Sequence, residues 1–157
     1  MKKSIVIKPL PFIFQLALSL GLGSLVGLLA RDSEFFKSLT KPPLTPPPIV
    51  FIIAWSIFYV LMAVSITLVL NNPKAEGSSA VSIYYAQLVV NFLWPVIFFV
   101  LGQLPLAFVW ILLLIGLVIT MIVRFYRLNK TAAILQIPYL LWLLFAAYLN
   151  LGYIILN

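Results

Sequence analysis

Between Tyr84 and Phe98 the chain sets Gln87, Asn91, Trp94 and Phe98 at i, i+4, i+7 and i+11 inside an otherwise apolar run. At 100° per residue these four fall within about 60° of one another on a helix, with Tyr84 close by. A second set, Tyr139, Trp142, Ala146, Asn150 and Tyr153, occupies a stripe of ~80° with Gln136 just ahead of it. Trp55, Tyr59 and Met62 align at i, i+4 and i+7 on a third segment. Indoles, phenols and carboxamides stack and hydrogen-bond, but none is an acid or base at neutral pH. The chain has no His and no Cys, and its apolar segments hold no carboxylate or Lys. Paired-acid catalysis, a Ser-His-Asp arrangement and an ionisable proton relay therefore lack their parts. No P-loop, dinucleotide fingerprint or metal-ligand cluster is present. What remains is a neutral cavity suited to a large, flat, apolar ligand with a few polar edges. The carboxamides leave two readings open, since buried amides also bond neighbouring helices.

The elements that must carry these stripes follow from composition. Of 157 residues, 64% are hydrophobic and 8% charged, and the mean hydropathy is +1.19, far outside the range of soluble domains. Five apolar segments, 9–30, 49–70, 80–102, 104–126 and 131–156, each reach about 30 Å as helix, and the only charge inside them is Arg124, near the fourth segment's end. The expected fold is an all-α membrane protein, a five-transmembrane-helix bundle over residues 1–157 with no separate soluble domain. Backbone groups in lipid must be satisfied internally, and the runs lack the alternation of a barrel. The first run is too long for a signal-peptide core, so it is read as a retained span. Gly23 and Gly27 fit a GxxxG pattern for close helix pairing, within the bundle or between subunits. Pro95 predicts a kink in the third helix. Trp110 reads as an interfacial belt residue.

The longest loop, 31–48, carries Asp32, Glu34, Phe35 and Phe36 before Lys41-Pro42-Pro43-Leu44-Thr45-Pro46-Pro47-Pro48. Five prolines in eight residues fix φ near −65° and remove five donors, so this piece is stiff and non-helical. It reads either as a preformed lid, formed by Pro42, Pro43, Leu44, Pro46 and Pro47, or as a linker between two helices. Net charge is +7, and the basic residues lie in short loops rather than on a helix face. That is a topology signal and not a nucleic-acid surface. Lys2, Lys3, Lys8, Lys74, Arg124, Arg127 and Lys130 fall on the N-terminal side, against Arg31, Lys37 and Lys41 opposite. The positive-inside rule then puts the N-terminus in the cytoplasm of a bacterial-type cell membrane, with the lid outside.

Three stretches carry a resemblance: Lys41 to Pro47 ahead of Phe51 and Trp55, Tyr85-Ala86-Gln87-Leu88-Val89-Val90-Asn91-Phe92-Leu93-Trp94 with Phe98-Phe99, and Pro138-Tyr139-Leu140-Leu141-Trp142 through Ala146 to Leu149-Asn150. In this order they resemble the translocator protein or tryptophan-rich sensory protein family (TspO/MBR), over about Phe35 to Asn150. The resemblance implies a five-helix bundle, often a homodimer, whose pocket beneath the first loop binds porphyrins, haem-related tetrapyrroles, sterols or synthetic ligands. It implies no required cofactor, with porphyrin or haem as ligand. Trp55, Asn91, Trp94, Trp142 and Ala146 match pocket positions of the family, and Tyr59, Gln87, Phe98 and Tyr139 join them by the stripes above. Trp55 and Trp142 match the tryptophans linked to light- and oxygen-dependent porphyrin breakdown, which keeps an oxidative enzyme as an alternative. A structural or assembly protein is a third. The chain departs from the family in having Leu44 for the usual Trp and Phe35-Phe36 for Trp-Tyr. No Lys or Arg follows Leu149 and Tyr153, as the sterol pattern requires.

Overall fold

The computed structural model describes residues 9–31 and 33–157, and within the first helix the side chains of residues 22 and 25–31 fall outside the description. Lys2, Lys3, Lys8, Asp32, the Arg31 side chain and the Gly27 end of the glycine motif, all used in the sequence reading, lie outside the described residues. All regular structure among the described residues is helical: α1 (Pro9–Arg31), α2 (Glu34–Ser38), α3 (Pro48–Leu70), a 3-10 turn (Pro73–Ala75), α4 (Ser79–Pro95) with a π-helical turn (Val96–Val100), α5 (Leu104–Leu128), α6 (Lys130–Ile134) and α7 (Ile137–Leu156). Four stretches are long and apolar enough to cross a membrane, Pro48–Leu70, Ser79–Val100, Leu104–Leu128 and Lys130–Leu156. Among the described residues Pro9–Gly21 of α1 is a further, shorter apolar helix. This is a multi-pass membrane protein.

Several boundaries differ from the sequence expectation. The first loop is not structureless, because Ser33 accepts the Phe36 amide and caps the short helix α2. Pro48 begins α3 instead of ending the loop, a position where the missing donor costs nothing. The fifth apolar segment is broken: α6 and α7 are separated at Leu135 and Gln136. Pro138 has no amide proton for the Ile134 carbonyl, and its ring crowds that carbonyl, so a continuous helix is unfavourable there. At Pro95 the disturbance takes the form of the π turn that follows it, which absorbs the missing bond without ending the span.

The helices α4 and α5 pack most closely, joined by a tight turn in which Gly102 has φ +63°, a conformation glycine adopts freely. Two indoles stitch this pair: Trp94 Nε1 donates to the Ala107 carbonyl at 3.0 Å and Trp110 Nε1 to the Val90 carbonyl at 2.9 Å. Trp110 therefore does more than mark an interface, since its N–H is satisfied by the neighbouring helix. The helix α1 lies on α3 and α4. A Cβ on Gly23 would run into the Tyr59 ring, so this glycine serves a contact inside one bundle. In lipid, helices gain little from hydrophobic association, and close packing with interhelical hydrogen bonds must hold them. Ser65 to the Ala132 carbonyl at 2.6 Å, Gln136 to the Leu61 carbonyl at 3.3 Å and Asn150 to the Leu104 carbonyl at 3.1 Å supply such bonds.

Candidate ligand-binding site

The centre of the bundle is polar in a single line. Tyr59 of α3 donates its hydroxyl to Asn91 Oδ1 at 3.2 Å, Asn91 Nδ2 of α4 donates to the Tyr139 hydroxyl of α7 at 2.7 Å, and Tyr139 donates back to Gln87 Oε1 at 3.2 Å. All four residues are buried. An unpaired amide or phenol would be costly in this environment, so each partner fixes the rotamer of the next. Helical spacing explains the line, because Gln87 and Asn91 are one turn apart and present their amides at the level of the two phenols. One donor is left over: Gln87 Nε2 is buried with no acceptor.

Aromatic rings surround this line. Trp55 stacks on Tyr59 with centroids 5.6 Å apart and meets Tyr139 edge-on at 6.1 Å. Trp94 stacks on Phe98 at 5.0 Å. Trp142 lies against Phe58 at 5.7 Å and Phe51 at 5.6 Å, and its Nε1 is a second buried donor without an acceptor. Trp55, Asn91, Trp94 and Ala146 enclose a void together with Ile111, Leu114 and Leu143. Its volume is about 10 Å³, close to the least space that holds one water. Ligand pockets for drug-sized molecules occupy roughly 300–1,000 Å³. The walls converge as the sequence stripes require, but their own side chains fill the chamber between them.

The sequence-derived residues thus separate into three groups. Trp55, Asn91, Trp94 and Ala146 line the void, and Tyr59, Gln87 and Tyr139 form the hydrogen-bonded line with Asn91. Trp142 and Phe98 do not line the void but border it: the first in an aromatic box with Phe51, Phe58 and Phe145, linked through Phe58 to Tyr139, the second stacked on Trp94 and in a smaller cluster with Ile97, Leu104, Ala107 and Tyr153 under Phe36. Sequence reasoning missed Ile111, Leu114 and Leu143. On α5 the buried positions Ala107, Ile111, Leu114, Val118, Met121 and Phe125 recur at alternating spacings of four and three. That repeat was present in the sequence, but with apolar residues on every side of the helix nothing marked it as the inner face.

The proline-rich loop is fastened to α7. Pro42 is buried against Gly152, where an added Cβ would come within 2.6 Å of the proline Cβ. Thr45 closes a turn on the Pro42 carbonyl through both its amide, at 3.4 Å, and its hydroxyl, at 2.6 Å. At the third position of that turn Leu44 has φ +64°, a type II geometry that favours Gly. Tyr148 donates to the Pro43 carbonyl at 3.2 Å. Asn157 exchanges two bonds with the Thr40 backbone, accepting at 2.8 Å and donating at 3.1 Å. Pro46 is half-buried, and the exposed Pro47 is the N-cap of α3. None of Pro42, Pro43, Leu44, Pro46 and Pro47 lines the void. Ala146 and Gly152 are six residues apart on α7, about 9 Å of helix rise, and next to Gly152 in sequence Tyr153 packs with Phe36 and Phe98 in one aromatic cluster.

A multi-pass helical membrane protein with a neutral, hydrogen-bonded aromatic centre is the class that fold and site define. The chain belongs to the TspO/MBR family, whose model matches residues 15–156. It is 36% identical to the tryptophan-rich protein TspO of Chlorobaculum tepidum over 92% of this chain and 97% of that one. It is 33% identical to the tryptophan-rich sensory protein of Cereibacter sphaeroides, covering 87% and 85% of the two chains. With the translocator protein of Ovis aries it shares 34% identity over 74% of its own length and 71% of the relative's.

Proposed function

We propose that the protein is a five-span membrane binding protein, a sensor or carrier, for tetrapyrroles and similar flat apolar ligands. In this reading α1 is the fifth span, the N-terminus is cytoplasmic, and the ligand enters among Trp55, Tyr59, Asn91, Trp94, Tyr139, Trp142 and Ala146. The observation that carries it is the hydrogen-bonded line from Tyr59 to Gln87, walled by indoles, with spare donors at Gln87 Nε2 and Trp142 Nε1. Buried donors without acceptors are costly unless something supplies the acceptor, and carboxylate or carbonyl edges of a planar ligand would do so. Stacking on Trp55 and Trp94 would hold its faces. The 10 Å³ void means that these rings must turn aside for a ligand of tetrapyrrole size to enter.

Titration of purified protein with protoporphyrin, followed by tryptophan fluorescence quenching, tests this. Asn91→Ala and Trp94→Ala should each weaken binding by roughly tenfold or more, the scale of losing one buried hydrogen-bonding or stacking partner. Unchanged affinity in both would reject this location. The second reading is light- and oxygen-dependent porphyrin oxidation, favoured by one feature: Trp55 and Trp142 both contact the Phe58 ring, at 6.3 and 5.7 Å. Under irradiation with oxygen, the Trp55→Phe, Trp142→Phe variant should then give a different product spectrum from the parent. Identical bleaching would assign the chemistry to the pigment alone. A homodimer would pair through a surface other than Gly23, which Tyr59 already covers.

A further inference from the structure

The end of the bundle away from the proline loop carries charges that the binding site does not use. Arg124, Arg127, Lys130 and Lys74 are all exposed there. The turn bearing Lys74 is tied to the end of α5, because Asn72 Nδ2 donates to the Leu128 carbonyl at 3.0 Å. Among the described residues no carboxylate forms an ion pair with any of these four cations, and Glu76 is the one acid of the two segments. At the opposite end the charges are nearer balance, with Lys37 paired to Glu34 at 2.7 Å.

The level of this collar along the helix is set by arithmetic. From Leu104, where α5 begins, to Arg124 is twenty residues, about 30 Å of rise, which equals the usual hydrocarbon thickness. Arg124 therefore reaches the far edge of the apolar layer, and Arg127 and Lys130 stand beyond it among the headgroups. Tyr126, 52% exposed, is an aromatic at that level, and the Lys130 ammonium sits 5.4 Å from its ring centre, a cation held at the interface instead of extended into water. Arg127 follows Arg124 by three residues, about 60° around the helix, so both guanidiniums address the same strip of headgroups.

We infer that Arg124, Arg127, Lys130 and Lys74 form a binding collar for the phosphate of anionic phospholipids. Guanidinium forks match phosphate oxygens, and unpaired cations at this depth raise the local concentration of anionic lipid. The site is independent of the tetrapyrrole reading and lies at the other end of the molecule. The partner is the lipid and not free phosphate, because exposed cations without a closed cradle gain their strength from an anion already concentrated in the membrane plane.

Native mass spectrometry of the detergent-purified full chain with dioleoyl phosphatidylglycerol and dioleoyl phosphatidylcholine tests the inference. The anionic lipid should be retained with a preference of roughly tenfold or more, and Arg124→Gln with Arg127→Gln should remove most of that preference, since each cation contributes about 1 kcal/mol. Arg124→Lys with Arg127→Lys should keep most of it, and Lys37→Gln with Lys41→Gln at the other end should leave it unchanged. Equal retention of the two lipids by the parent protein would overturn the collar. So would an undiminished preference in the glutamine variant, or an equal loss from the Lys37 and Lys41 changes. Displacement of the lipid by millimolar inorganic phosphate would overturn the assignment to a headgroup.

Discussion

The centre of the bundle and the proline-loop end are both held by hydrogen bonds, but of different kinds. At the centre, side chains bond side chains across three helices: Tyr59, Asn91, Tyr139 and Gln87 depend on one another's identity. At the loop end, side chains bond backbone, as Tyr148 does to Pro43 and Asn157 to Thr40, and a proline fills the space left by a glycine. Backbone acceptors are present whatever the sequence, so the loop attachment is a matter of shape. A network of amides and phenols fails when any member is lost, which makes the centre a matter of chemistry.

The sharpest way to break this contrast is Gly152→Val. Its side chain would occupy the place of Pro42, and overpacking of this kind costs about 1–3 kcal/mol. The loop should detach, with amide hydrogen exchange over 38–45 accelerated by roughly tenfold or more, while the central network keeps its protection. Slow exchange in the variant would show that the loop is held by something other than the fit to Gly152. Next in size is Tyr139→Phe, which leaves Asn91 Nδ2 and Gln87 Oε1 without their partner and should lower stability by about 1–2 kcal/mol, the upper range for hydrogen bonds in membranes. Thermal unfolding in detergent measures it, and loop exchange should stay unchanged.

Asn157→Ala removes the two bonds to Thr40 and should speed loop exchange only a few-fold, about 1 kcal/mol, because Pro42 and Tyr148 remain. A loss as large as that in Gly152→Val would make the asparagine the main fastening. The smallest effect belongs to Leu44→Gly. Relief of a left-handed φ, worth about 1–2 kcal/mol, is offset by about 0.5–1 kcal/mol of added chain freedom, so the loop should be slightly slower to exchange. Faster exchange would mean that the leucine side chain contributes contacts its exposure does not suggest.

Much of this was legible in the residues. The polar positions of α4 and α7 stood out because amides and phenols are rare in apolar runs, and their helical spacing gave the shared face. The stiffness of 41–48 followed from proline alone. Other features were hidden by uniform apolarity: Ile111 and Leu114 face inward on a helix whose lipid-facing positions are equally apolar. The break between α6 and α7 was signalled by Pro138, but high hydropathy on both sides masked it. Trp110 carried no mark separating an interfacial indole from one that bonds a neighbouring helix, since either needs only an apolar setting and one acceptor.

By itself the sequence determined that the chain is helical and membrane-embedded, and that its interior chemistry is neutral, because hydropathy and the absence of His, Cys and intramembrane acids are properties of composition and spacing. The tertiary structure alone decided which partners those residues meet. It joined Tyr59 and Tyr139 through Asn91, seated Pro42 against Gly152, and filled the chamber with its own rings. These are contacts between segments tens of residues apart, where side-chain volume and the direction of each donor, which no local pattern encodes, determine the fit.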